Sequence, residues 1–142
     1  MLKQIPLQRI AYNAIPSVVY TNPEIASIGL TEKDLNEIKE GDFAPSMSTE
    51  EPFVPYEVHK LPMTYSGRFV AENEGETGLC KVIVDKRSKT IMGVHMIGNP
   101  CSEFVAAASF AVRMGYTVGE FKQVVFPHPT VGEVLREVIM EA

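Results

Sequence analysis

The chain of 142 residues is short of the features that announce several chemistries on their own. Its two cysteines, Cys80 and Cys101, lie far apart in apolar surroundings and have no C-x-x-C partner. That argues against a secreted disulfide scaffold and for reduced, intracellular thiols. None of the ten glycines is separated from another by a single residue, so G-x-G-x-x-G is absent, and G-x-x-x-x-G-K-[ST] is absent as well. Any nucleotide would be bound by another chain or domain. Thirteen Lys+Arg against eighteen Asp+Glu leave a formal charge of −5, without the basic excess of a nucleic-acid binder. There is no apolar run of about 18 residues, and Lys3, Gln4, Gln8 and Arg9 interrupt the N-terminal segment. The expectation is a cytoplasmic chain with neither nucleic acid nor membrane among its partners.

What is present is ordinary globular composition, 45% apolar and 22% charged, at about one domain's length. A core of this size buries roughly two-thirds of the unfolded chain's surface, so neither metal nor disulfide is needed to hold it. Ser17 to Tyr20 reads as a strand and Thr21-Asn22-Pro23-Glu24 as a turn. Thr31 is placed to cap a helix whose third residue, Asp34, can return the hydrogen bond, with Leu30 and Leu35 at staple positions and Gly41 as the stop. Residues 41–55 have the composition of a long exposed loop. Strand character returns at Tyr56 to Met63, and Thr64 to Asn73 carries no clear signal. Leu79 to Asp85 and Thr90 to Ile97 read as an antiparallel hairpin joined by Lys86 to Lys89. Ser102 to Met114 is a helix apolar on almost every side, which has to be covered on most of them. Val131, Val134, Leu135, Val138 and Ile139 share one face of an amphipathic C-terminal helix. Strands in succession, with helices between and after them, predict an α+β fold: an antiparallel sheet of about five strands covered by helices.

The three histidines differ in setting. His95 alternates within an apolar strand, where a lone histidine is usually a satisfied sheet residue. His59 stands beside Lys60 at the edge of a polar loop and reads as inert. His128 lies between two prolines in Phe126-Pro127-His128-Pro129-Thr130, where backbone freedom is sharply reduced. A general acid/base needs such a fixed frame. Glu133, in the first turn of the following helix, is close enough to fold back to the imidazole and set its tautomer. On spacing alone a second reading stays open, in which the prolines only shape a turn and Glu133 only complements the helix dipole. A hydrolase built on Cys101 or Ser102 with His128 lacks any nucleophile-elbow or oxyanion-hole pattern.

Several motifs occur together in a fixed order. They begin with Ile15-Pro16-Ser17-Val18-Val19-Tyr20-Thr21-Asn22-Pro23-Glu24-Ile25-Ala26-Ser27-Ile28-Gly29-Leu30-Thr31-Glu32. Gly67-Arg68, Glu72-Asn73, Lys81-Val82-Ile83-Val84-Asp85 and Ile91-Met92-Gly93-Val94-His95-Met96-Ile97-Gly98 follow, then Ser102-Glu103 opening an alanine-rich helix, and finally His128-Pro129-Thr130-Val131-Gly132-Glu133. This order resembles the C-terminal dimerisation domain of the pyridine nucleotide-disulfide oxidoreductases over residues 12–142, with residues 1–11 as a lead-in. The opening is most similar to that of the dihydrolipoamide dehydrogenases. Phe126-Pro127 before the histidine and the length of the loop at residues 41–55 depart from that branch. A glutathione reductase-type enzyme, or a stand-alone dimerisation or docking module with the histidine unused, are the alternatives.

The resemblance implies a homodimer in which His128 of one subunit reaches the other's active site and exchanges protons with a dihydrolipoyl thiol, with Glu133 orienting it. The dihydrolipoyl group would arrive on an acyltransferase or carrier protein. FAD and NAD would be bound by other domains of a full-length parent and not by this chain alone. Pro129 and Thr130 are the candidates to lie near the partner subunit's flavin, and no metal is expected. The resemblance also implies a cis peptide between His128 and Pro129.

Overall fold

A computed structural model describes residues 11–37 and 54–142. Nearly all of the expected lead-in and of the loop at residues 41–55, together with the Gly41 stop, lies outside the described residues. Five strands form: β1 (Ser17–Val19), β2 (Ile25–Gly29), β3 (Tyr56–Pro62), β4 (Leu79–Asp85) and β5 (Ile91–Ile97). They make one sheet in the order β1-β2-β5-β4-β3 with every pair antiparallel. The helices are α1 (Glu32–Glu37), α2 (Gly67–Glu72), α3 (Cys101–Met114), α4 (Val118–Phe121) and α5 (Glu133–Met140), with single 3₁₀ turns at Tyr12–Ala14 and Met63–Tyr65. The α+β architecture expected from the sequence is the one observed.

Side chains of a strand alternate between the two faces of a sheet, and here Ala26, Ile28, Cys80, Val82, Val84, Val94 and Met96 point to one face. Onto them α3 lays Val105, Ala108 and Ala111, and α5 lays Val134, Leu135, Val138 and Ile139, at helical spacing. Each large aliphatic side chain buried there contributes roughly 1.5 to 3 kcal/mol relative to exposure. The opposite face is partly covered by α1. The Lys81 ammonium on β4 pairs with Glu32 at 2.8 Å, and Leu35 and Ile83 are buried outside the main cluster.

Local signals explain the element ends. The expected cap of α1 is present: the Asp34 amide donates to Thr31 Oγ1 at 3.1 Å and the Thr31 amide to Asp34 Oδ2 at 2.8 Å. The β4–β5 turn is organised by the buried Asp85, whose Oδ1 accepts from the Arg87 and Ser88 amides at 2.7 and 2.8 Å. Gly93 permits β5 to lie against the end of β2, since a Cβ there would stand 2.1 Å from the Leu30 carbonyl oxygen. Helix α3 stops at Gly115, whose φ of 65° lets its amide reach back to the last turn. Cover on most sides of α3 was expected, but within this chain it is buried along one face, and Phe110 and Met114 on the other remain 69% and 63% exposed.

Two helices were not foreseen. Helix α2 lies in the stretch without a clear signal, with Ser66 as its N-cap. Helix α4 has a full capping box between Thr117 and Glu120. It ends one short segment before His128, and its Phe121 ring lies 6.0 Å from that of Phe126, which anchors the segment as it leaves the helix.

Candidate functional site

The segment from Phe126 to Glu133 joins α4 to α5 and is closed by hydrogen bonds among its own residues. The peptide between His128 and Pro129 is cis. Thr130 Oγ1 donates to the Pro127 carbonyl at 2.8 Å, and the Thr130 amide donates to Glu133 Oε2 at 2.7 Å. Glu133 is the first residue of α5, where the helix dipole favours a carboxylate. Its other oxygen, Oε1, lies 2.8 Å from His128 Nδ1. The two side chains differ in setting: that of Glu133 is 22% exposed and that of His128 82%.

This geometry fixes a chemical state. The Thr130 amide first, and the imidazole after it, hold the Glu133 carboxyl below its ordinary value of 4.5 against the opposing effect of burial. A carboxylate can only accept, so Nδ1 carries the proton that points at it. In the neutral ring Nε2 is then a free lone pair on the exposed side. Such an imidazole can take a proton at Nε2 and, once cationic, give it back there. His128 and Glu133, the two residues singled out from sequence, are therefore brought together. Ser66 was missed. Its buried hydroxyl donates to the Thr130 carbonyl at 2.9 Å, and the only sequence signal for it was a serine in a stretch with no periodicity.

None of the other candidates joins this pair. His95 Nδ1 accepts from Ser27 Oγ and Nε2 donates to the Leu30 carbonyl at 3.0 Å, and burial pulls its pKa below 6.5. His59 lies two positions from Glu57 on β3, with Glu57 Oε1 at 3.9 Å, and its buried Nε2 has no hydrogen-bond partner among the described residues. Burial pushes the Cys80 thiol up to about 12 and the Cys101 thiol up to about 11, so neither is a thiolate at neutral pH. The Ser102 amide caps onto Glu24 Oε2 at 3.0 Å, and neither Cys101 nor Ser102 forms a hydrogen bond with His128. Among the described residues no group of three or more His, Cys, Asp or Glu could hold a metal ion.

Among the described residues most helix N-termini are poorly suited to a dinucleotide. Pyrophosphate binds at helix N-termini opened by glycines. Four of the five described helices carry a carboxylate in the first turn instead: Glu32 and Asp34 in α1, Glu103 in α3, Glu120 in α4 and Glu133 in α5. A groove of about 430 Å³ runs beside the His128 segment, lined by Arg68, Glu72, Glu103, Phe104, Phe126 and Pro129 among others. Its acids likewise disfavour phosphate.

Residues 15–139 match the family model of the pyridine nucleotide-disulphide oxidoreductase dimerisation domain. The chain belongs to that family. The dimerisation domain is 36% identical over 133 residues to the mitochondrial dihydrolipoyl dehydrogenase of Caenorhabditis elegans, covering 94% of this chain and 24% of that protein. It is 33% identical over 142 residues to dihydrolipoyl dehydrogenase 3 of Pseudomonas aeruginosa, covering 95% and 27%. It thus spans about a quarter of the length of these relatives. Among solved structures, LpdA from Mycobacterium tuberculosis superposes with a TM-score of 0.76 at 20% identity over 95% of this chain and 26% of that one. The HOCl-induced flavoprotein disulfide reductase RclA from Escherichia coli superposes with a TM-score of 0.72 at 20% identity, over 89% and 26%. The fold is therefore that of the dimerisation domain of a dihydrolipoyl dehydrogenase-like disulfide oxidoreductase.

Proposed function

We propose that this domain serves a full-length, homodimeric, FAD- and NAD-dependent oxidoreductase of the dihydrolipoamide dehydrogenase type, with His128 as the acid/base for thiol–disulfide exchange in the partner subunit's active site. The observation that carries the reading is the imidazole held through Nδ1 by a carboxylate while Nε2 faces outward. In the forward direction Nε2 takes the proton from one thiol of a dihydrolipoyl group. The resulting thiolate attacks the redox disulfide of the active site, forms a mixed disulfide and releases the other sulfur as thiolate. In the reverse direction the imidazolium returns its proton to the departing dihydrolipoyl thiolate. Thiolate is the reacting species, so a base poised beside the sulfur accelerates the step directly.

Glu133 does not touch the substrate in this scheme. It holds the ring and stabilises the cation that forms. FAD and NAD belong to other domains of the parent, and the dihydrolipoyl group reaches the site on an acyltransferase or carrier protein. Pro129 and Thr130, next to His128 in sequence, are the residues of this chain that would lie near the partner subunit's flavin. The uncovered Phe110 and Met114 side of α3 supports pairing with a second copy. The test is His128→Gln in an oxidoreductase carrying this domain: the dithiol half-reaction should slow by roughly 10²- to 10⁴-fold with folding retained. An unchanged half-reaction would leave the domain as a dimerisation module without a catalytic part.

A further inference from the structure

The His128 loop is hydrogen-bonded mostly within itself. Three of its bonds, from Thr130 Oγ1 to the Pro127 carbonyl, from the Thr130 amide to Glu133 and between Glu133 and His128, join residues no more than five positions apart. Such local bonds set the shape of the unit but not its place on the domain, which otherwise rests on the packing of Val131 and Val134 in the core and of Phe126 on Phe121. The hydrogen bond that ties it to a distant part of the chain comes from Ser66, 64 positions away.

Ser66 is 4% exposed and both of its bonding capacities are used. Its O–H donates to the Thr130 carbonyl at 2.9 Å, and its oxygen accepts from the Phe69 amide at 3.2 Å as the cap of α2. Thr130 thereby has its amide, hydroxyl and carbonyl all engaged. We propose that Ser66 is a positioning residue for His128: by holding the Thr130 carbonyl it fixes the frame in which the Thr130 amide aims the Glu133 carboxylate, and so sets which ring nitrogen of His128 faces outward. The proposal deepens the acid–base reading above, and its kinetic consequence rests on that reading; its structural consequence, one fixed tautomer, does not.

A purely structural role for Ser66, as the cap of α2, has to be separated from this one. Glycine is nearly as good an N-cap as serine but cannot donate to Thr130. Threonine keeps the hydroxyl, and cysteine keeps the shape with only a weak donor. The first measurement is the ¹⁵N spectrum of the His128 ring in the 142-residue chain, with thermal unfolding as the check on folding. Wild type and Ser66→Thr should show a single Nδ1–H tautomer. Ser66→Gly should unfold cooperatively yet show an average of both tautomers, the fixed form disfavoured about three- to tenfold, the size of one neutral hydrogen bond. If Ser66→Gly does not fold, Ser66→Cys gives the same reading. A wild-type tautomer pattern in the folded Gly or Cys variant, or a Thr variant as averaged as Gly, overturns the proposal.

The second measurement is steady-state turnover in an oxidoreductase carrying the domain. Ser66→Gly should lower kcat by about three- to tenfold with KM unmoved. If His128→Gln is slow and Ser66→Gly is not, the positioning role falls while the acid–base reading stands. If Ser66→Gly mixes the tautomers but His128→Gln turns over normally, the acid–base reading falls and the structural link remains.

Discussion

Replacing Glu133 by Gln and by Ala should rank the two variants in opposite orders for activity and for stability. In the native loop Oε2 accepts from the Thr130 amide at 2.7 Å and Oε1 from His128 Nδ1 at 2.8 Å. Glutamine keeps one oxygen and replaces the other with NH₂. Because a backbone amide can only donate, the glutamine oxygen turns to Thr130 and the NH₂ turns to the imidazole. Nδ1 must then accept, and the ring proton moves to Nε2, the nitrogen that has to be free. The variant loses a charge-assisted hydrogen bond, about 1.5 to 3 kcal/mol, and gains a neutral one that favours the wrong tautomer, about 0.5 to 1.5 kcal/mol. Together these amount to roughly 30- to 2,000-fold in the proton-transfer step. Alanine loses only the first, roughly 10- to 150-fold. The lower ends apply because the His128 side chain is 82% exposed. Stability goes the other way, since alanine leaves the part-buried Thr130 amide without its acceptor, at a cost of about 1 kcal/mol, and glutamine keeps it. Stopped-flow measurement of the dithiol half-reaction in an enzyme carrying the domain, beside urea unfolding of the chain, reads both orders. A glutamine variant at least as active as the alanine variant would refute the tautomer argument.

Two further outcomes follow from the buried groups. With thiols raised to about 12 and about 11, Cys80 and Cys101 should resist a thiol reagent in the folded chain near neutral pH and both react on unfolding; rapid native labelling of either would contradict the packing. Stability should fall with acidity in two limbs, because His95, held below 6.5 mainly by burial, and the hydrogen-bonded carboxyls of Asp34 and Glu133 all bind fewer protons folded than unfolded. Their contribution is full above the ordinary values and is lost as pH falls through the depressed ones. Loss thus starts below 6.5 through His95 and deepens in the carboxyl range. His95→Gln should abolish the first limb and keep the second in urea midpoints, and a chain that gains stability between about pH 7 and about pH 5.5 would contradict this.

The legible parts of the fold were those with a strong local period. The β4–β5 hairpin and the apolar stripe of α5 follow from alternation and helical spacing, and the Thr31–Asp34 cap from its own side-chain chemistry. Helix α2 was not legible, because Gly67, Phe69 and Val70 are indifferent helix formers and its start depends on a serine whose hydroxyl is committed to a loop 64 positions away. Helix α4 was legible in principle: Thr117 and Glu120 are a full capping box, but on an element of four residues with no periodicity to draw attention to it. The pairing of His128 with Glu133 could be inferred from spacing and from the order of motifs. The roles of the Thr130 amide and of Ser66 could not, since a backbone donor carries no sequence signature and a long-range hydrogen bond has none either.

The central claim, that His128 acts across a subunit boundary, is tested most directly by hybrid dimers of a full-length enzyme carrying this domain. One subunit would lack the redox cysteine pair and the other would carry His128→Gln. If the imidazole serves the partner's site, both lesions fall in one active site and the other is intact, so the hybrid should oxidise the dithiol at about half the wild-type rate, as a twofold-symmetric dimer requires. With a His128→Gln homodimer that is itself slow, a hybrid no more active than either mutant homodimer would place His128 in its own subunit's chemistry and would contradict the account.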